Sequence, residues 1–190
     1  MTAPPRLLVL TDRRQLPLGQ SLRAVMEQCA DAGLSHVVLR ELDLDDGARA
    51  ALAGHLSDCG LSVVAARRGL PGCVGVHLAA AQPVPDRAPG AWGRSCHAAR
   101  EIGHAAGQGA RWATLSPYSW TDSKPGHGPP LPADAYAGHR IPVYALGGVT
   151  AANAAGARQA GAHGVAVMGA VMRARDPAAV VAGLLREVAP

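Results

Sequence analysis

Apolar residues gather in short runs, each bounded by glycine, proline or polar residues. The runs are Arg6–Leu10, His36–Arg40, Ser62–Ala65, Val74–Leu78, Trp92–Ser95, Trp112–Leu115, Pro142–Leu146 and Gly164–Met168. Most read as buried strands, the Trp92 run being the weakest. Between several of them the apolar positions fall at helical spacing. Residues 19–32 carry Leu22, Val25, Met26 and Cys29 and close on Gly33. Residues 45–59 carry Ala48, Leu52, Leu56 and Cys59 on one face and close on Gly60. Further helices are expected over 97–107 and over 151–160, the latter capped by Thr150. A last one opens at Asp176-Pro177, a cap followed by proline at the first helical position.

Strands that mostly alternate with helices, without linker composition, predict a single domain over residues 1–190. The fold class is α/β, a compact (β/α)₈ TIM barrel. Only Ala66–Cys73 separates the third and fourth runs. A parallel crossover needs about a dozen residues, so that helix is expected to be reduced or missing. Ala79–Gly90 is also poor in helix signals. A doubly wound open sheet is the alternative, weakened in its dinucleotide-binding form because no G-x-G-x-x-G follows the first run.

Composition narrows the picture. With no phenylalanine, three tryptophans and three tyrosines, the core must be built from Ala, Val and Leu. The net charge of +4 is spread along the chain without aromatic interleaving. That argues against nucleic acid and suits small phosphorylated ligands. No apolar stretch has the length of a membrane span and the start lacks a signal-peptide layout, so a cytoplasmic protein is expected. Cys29, Cys59, Cys73 and Cys96 show no metal spacing and read as reduced, buried thiols. Of the 18 basic residues only Lys124 is a lysine. Its survival in so arginine-rich a chain suggests use of its compact ammonium.

The candidate chemistry lies where strands end. Gly147 and Gly148 follow the seventh run, and Met168-Gly169 ends the eighth. In barrels these two loops commonly hold a phosphate on backbone N–H groups; the alternative is that the glycines only make tight turns. The loop after the sixth run offers Ser116, Ser119, Thr121, Asp122, Ser123 and Lys124. It suits a phosphorylated ligand, or is simply a polar surface loop. Ser95 and His97 close the fifth run, with His97 either a general base or a residue that orients the loop. His77 reads as a hydrogen-bonded core residue. Arg40 and Glu41 end the second run and either grip a ligand or pair with each other. The other histidines, His36, His55, His104, His127, His139 and His163, show no ligand spacing.

Ile141–Thr150 and Gly161–Ala170 resemble the C-terminal part of the thiamine phosphate synthase and TenI superfamily. Gly75–Leu78, Ser95–His97 and Thr121–Lys124 match further motifs in the same order, and Val38–Glu41 and Leu10–Asp12 are similar to its second and first strand ends. The resemblance implies a TIM barrel that binds a small thiazole phosphate. Thr121, Asp122 and Ser123 would line the thiazole site. Gly148, Met168 and Gly169 would hold its phosphate. Lys124, Ser95 and Arg40 would face the pyrimidine pyrophosphate of a synthase, which uses Mg²⁺ to stabilise the departing pyrophosphate.

The departures matter equally. Synthases carry an Asn-Asp pair after the third strand, where this chain reads Ala65-Ala66-Arg67-Arg68. They carry an acidic residue soon after Gly-Val-His-Leu, where Ala79-Ala80-Ala81 follows here. The glutamine and lysine of their second-strand motif are Val38 and Leu42. Retention of the thiazole half alone implies a TenI-like thiazole tautomerase, an enzyme that needs an acid/base group and no metal. The histidine TenI proteins carry after the sixth strand aligns with Pro117, so His97 would serve instead, beside Lys124. A divergent synthase with Mg²⁺ on Asp12, Glu41 or Asp43 is the first alternative. A non-catalytic barrel binding a phosphorylated ligand or a partner enzyme is the second. An exposed apolar wall at the missing helix would favour a homodimer.

Overall fold

The computed structural model describes residues 4–85, 90–120 and 129–189. Eight parallel strands close in chain order into a barrel: β1 (Leu7–Leu10), β2 (His36–Leu39), β3 (Ser62–Ala66), β4 (Gly75–Leu78), β5 (Ala91–Cys96), β6 (Trp112–Leu115), β7 (Val143–Leu146) and β8 (Gly164–Val167). All the expected strands form. The weakest pattern, around Trp92, gives the longest strand, of 6 residues. The helices are α1 (Leu22–Asp31), α2 (Asp46–Asp58), α3 (Ala99–Gly107), α4 (Ala151–Gln159), α5 (Gly169–Met172) and α6 (Pro177–Glu187). Ser21, Asp45 and Asp176 cap α1, α2 and α6 with side-chain oxygens, each satisfying an otherwise unpaired N–H.

Among the described residues no α-helix follows β3, β4 or β6. The gap after β3 is the expected one. Two arginines seal the wall where helices are lacking. On α2 the buried face carries Arg49, while Ala48, expected there, is exposed. Arg49 Nη2 donates to the Ala66 carbonyl at 2.9 Å, at the end of β3. On β5 the buried Arg94 turns outward, and its Nη1 donates to the carbonyls of Ala80 at 2.9 Å and Gln82 at 2.6 Å. A guanidinium carries five donors, so one side chain adds bonds to carbonyls along this wall, although the Ala66 carbonyl also accepts from the Arg68 N–H at 2.9 Å. A cavity of about 490 Å³ remains beside this loop, bounded by Arg94, Arg100, Glu101 and His104.

Small side chains let the strands close tightly around few large ones. Leu8, Leu10, Val38, Val64, Ala66, Tyr144 and Ala166 form one buried cluster, with Trp112 packed against it. The Trp112 indole lies over Gly93: a β-carbon there would come within 2.1 Å of Nε1. Glycine at 93 therefore makes room for the indole.

Candidate functional site

The C-terminal ends of the strands form the barrel mouth. Gly147 and Gly148 turn the chain after β7 with φ of 92° and 67°, a region that glycine enters at no steric cost. The loop after β6 lies along this turn: the Tyr118 N–H donates to the Leu146 carbonyl and the Ser119 N–H to that of Gly147, both at 2.9 Å. A β-carbon on Gly148 would stand 2.4 Å from the Trp120 carbonyl oxygen and 2.6 Å from that of Ser119. The tight-turn role is thus real. A Gly148→Asp substitution would disrupt the loops by bulk before its charge mattered. Asn153 braces the turn from α4, accepting from the Thr150 N–H at 2.8 Å and donating to the Gly148 carbonyl at 2.9 Å.

These contacts engage the carbonyls of Leu146, Gly147 and Gly148. The N–H groups of Gly148 and Gly169 make no hydrogen bond to another backbone group among the described residues. Gly169 opens α5, so its N–H is one of the donors a helix start leaves unpaired. Both loops therefore carry backbone donors left open at the C-terminal strand ends, a feature suited to an oxyanion.

Arg40 and Glu41 do not pair with each other. The Arg40 N–H donates to Thr11 Oγ1 at 3.0 Å, and its guanidinium rests on Met168 Sδ, at the edge of the β8 loop. Glu41 is buried against Arg13, accepting from its N–H at 3.1 Å and its Nη1 at 3.0 Å. The same guanidinium grips Asp43 at 2.8 and 2.7 Å. Asp12 accepts from the Arg14 N–H and from Gln15 Nε2, at 3.3 and 2.9 Å.

His77 projects from β4 among Trp112, Thr114 and Ser95. Trp112 Nε1 donates to its Nδ1 at 3.2 Å. Indole is only a donor, so the imidazole proton sits on Nε2. Nε2 donates to Ser95 Oγ at 3.1 Å and approaches Thr114 Oγ1 at 3.4 Å. Burial, and after it the charge of Arg94, hold the His77 pKa down to about 4. A neutral histidine thus orients Ser95, whose own hydroxyl proton can turn elsewhere. Nearer the mouth, His97 Nδ1 lies 3.1 Å from Ser116 Oγ and 3.3 Å from the Ser116 carbonyl, and the His97 N–H donates to Glu101 at 2.7 Å.

Thr121, Asp122, Ser123 and Lys124 lie outside the described residues. Arg13, Tyr118 and Asn153 were not legible as site residues. Asn153 did carry a signal, the Thr-x-x-Asn spacing of a capping box variant. Arg13 carried none, since its partners lie 28 and 30 residues away.

The described mouth fits Mg²⁺ poorly. The loop after β3 carries Arg67 and Arg68, the latter paired with Asp46 at 2.7 Å. The loop after β4 begins with three alanines. Glu41 and Asp43 share the single guanidinium of Arg13, and Asp12 is engaged by Arg14 and Gln15. Mg²⁺ needs several oxygen donors in near-ideal geometry. Among the described residues one group could gather three ligand atoms around a metal, Glu27, His55 and Cys59, and it spans α1 and α2 on the outside of the barrel.

The profile of the family described as thiamine monophosphate synthase matches residues 71–171. A Geobacter sulfurreducens protein provisionally named thiamine-phosphate synthase is 33% identical, covering 97% of this chain and 94% of its own. The thiamine biosynthesis bifunctional protein ThiM/ThiE of Symbiobacterium thermophilum is 35% identical over 96% of this chain and 36% of its own length. Among solved structures, thiamine phosphate pyrophosphorylase from Pyrococcus furiosus superposes with a TM-score of 0.82 over 96% of this chain and 95% of its own, at 22% identity. With the profile spanning both glycine loops and the Gly-Val-His-Leu strand, this chain belongs to the thiamine monophosphate synthase and TenI family of TIM barrels.

Proposed function

We propose that this chain binds thiazole phosphate at the barrel mouth and moves a proton on it without a metal, as TenI-type tautomerases do. The observation that carries the reading is a contrast within one mouth. The glycine loops keep turn geometry and N–H groups without a backbone partner among the described residues, while the places of the metal carboxylates hold arginine and alanine. In this reading the Gly148 and Gly169 N–H groups take the phosphate, with Gly147 and Met168 shaping the loops and Arg40 adding charge beside Met168. Thr121, Asp122, Ser123 and Lys124 are assigned to the ligand by their place in the family motif alone.

His97 is the acid/base group. Its ring lies against Ser116, next to Pro117, where TenI-type proteins carry their histidine. An imidazole just past the end of β5 thus stands beside the place that the β6 loop leaves without one. Ser95, oriented by His77, supplies a hydroxyl on the same strand. The reaction is an isomerisation: one proton leaves the ring and one returns, so no co-reactant is required.

The synthase is the second reading, because relatives carry that name. It would need oxygen donors beyond those described at the mouth. Calorimetric titration with thiazole phosphate and pyrimidine pyrophosphate, with and without Mg²⁺, separates the readings. The expected result is metal-independent binding of thiazole phosphate alone. His97→Gln should lower kcat for tautomerisation by about 100-fold while leaving affinity unchanged. Mg²⁺-dependent binding of pyrimidine pyrophosphate with formation of thiamine phosphate contradicts the proposal. Thiazole phosphate binding without turnover leaves a binding protein.

A further inference from the structure

A second cavity, of about 400 Å³, opens at the opposite, N-terminal end of the barrel. Its walls come from the start of β1, the segment before β7, the end of α4 and the turn into β8. Arg6, Arg140 and Arg158 line it together with His139, His163 and Tyr136, and no carboxylate is among its lining residues. None of the three arginines has a carboxylate partner within ion-pair distance among the described residues.

Two of these arginines crowd a single acceptor. Arg6 Nη1 donates to the His163 carbonyl at 2.6 Å, and Arg158 Nη1 donates to the same oxygen at 2.9 Å. Arg158 also donates to the Ala162 carbonyl at 2.6 Å, and His163 Nε2 lies 3.2 Å from the Pro4 and Pro5 carbonyls. These bonds anchor the turn into β8 and account for part of the cluster. They leave the like charges of Arg6 and Arg158 facing each other without compensation, an arrangement that raises the free energy of the empty site.

Two of the lining residues also carry a buried polar atom that is unpartnered among the described residues: the Tyr136 hydroxyl and Arg158 Nε. Tyr136 is only 1% exposed. A buried hydroxyl without a partner costs free energy unless something reaches it. Arg140 is exposed at the rim, with its guanidinium engaged in none of the turn's hydrogen bonds.

We propose that this cavity is a binding site for a compact oxyanion, inorganic phosphate or the phosphate group of a small phosphomonoester. It is separate from the mouth. Tyr136 Oη and Arg158 Nε donate from the wall, and Arg140 closes on the anion from the rim. The bound charge relieves the repulsion between Arg6 and Arg158, so occupancy also stiffens the turn that feeds β8.

The test is titration of the ¹⁵N-labelled protein with inorganic phosphate at constant ionic strength, followed by amide NMR. Because the mouth also offers phosphate N–H groups, the two ends are read separately. The N-terminal site moves the amides of Gly138, Arg140 and His163, and the mouth moves those of Gly148 and Gly169. Arg140→Gln and Tyr136→Phe should each weaken the N-terminal shifts by about tenfold in Kd, the loss of one hydrogen bond to a charged group, and leave the mouth shifts unchanged. Tyr136→Phe discriminates well, since deleting an unpartnered hydroxyl would otherwise have little effect. Shifts confined to the mouth, or N-terminal shifts that neither variant weakens, overturn the proposal. A thiazole phosphate titration that fails at the mouth leaves it standing.

Discussion

From β7 through β8, β1 and β2 to β3, helices cover every crossover, whereas neither crossover between β3 and β5 contains one among the described residues. The two walls differ in chemistry as well as cover. The helical wall carries the glycine loops and Arg40. The bare wall carries Arg67, Arg68 and three alanines where the family's synthases place metal-binding groups. Helices shield the strand ends of one wall. Guanidinium groups, Arg49 from the next helix and Arg94 from the strand itself, take over that work on the other.

The contrast can be broken first at Arg49. Arg49→Ala removes the donor to the Ala66 carbonyl and leaves a cavity under the bare wall. We expect a loss of about 4 kcal/mol of unfolding free energy in urea. The exposed Arg23 on the helical wall provides the control: Arg23→Ala should change stability by less than about 0.5 kcal/mol. Equal losses at the two sites would refute the sealing role.

Acid acts on the bare wall through His77. Its folded pKa of about 4 lies below the ordinary value of 6.5. Between those values the unfolded chain binds the extra proton, so stability falls as pH drops from 6.5 towards 4, by about 3 kcal/mol. His36 and His163, also lowered chiefly by burial, add slope of the same sign. Urea midpoints across this range give the slope, and His77→Gln should flatten it. An unchanged slope in that variant would place the titration elsewhere.

The smallest effect is expected at Arg67, which has a φ of 73° at the end of β3. Asparagine and glycine occupy that region more easily than arginine. Arg67→Gly should therefore raise stability by about 1 kcal/mol, seen as a higher melting temperature. A decrease would mean that the Arg67 side chain holds the loop.

Much of the barrel was legible because buried parallel strands leave a local trace. The β8 segment is apolar throughout and bounded by glycine, and its position needs no partner to be read. β5 was harder, since Arg94 and Ser95 interrupt its apolar character. One caps a loop outside the barrel and the other accepts from His77 inside it, and neither role exists without the neighbouring strands. The same holds at the mouth. The glycine loops stood out by sequence position. That Arg40 turns to Met168, that Glu41 belongs to Arg13, and that His97 lies over the start of the β6 loop all depend on strand neighbours far away in the chain. Arg49 was hidden by periodicity itself, because a buried guanidinium sits one place from the alanine that the apolar pattern favours.

In the proposed function the mouth retains the thiazole phosphate half of its family's site and works without a metal. Conversion of the thiazole phosphate carboxylate to its aromatic tautomer, followed by ultraviolet absorbance in excess EDTA, tests it most directly. Turnover is expected at the same rate with EDTA as with Mg²⁺, and is expected to be lost in His97→Gln. Absence of tautomerisation under all conditions, together with Mg²⁺-dependent formation of thiamine phosphate from thiazole phosphate and pyrimidine pyrophosphate, would contradict it.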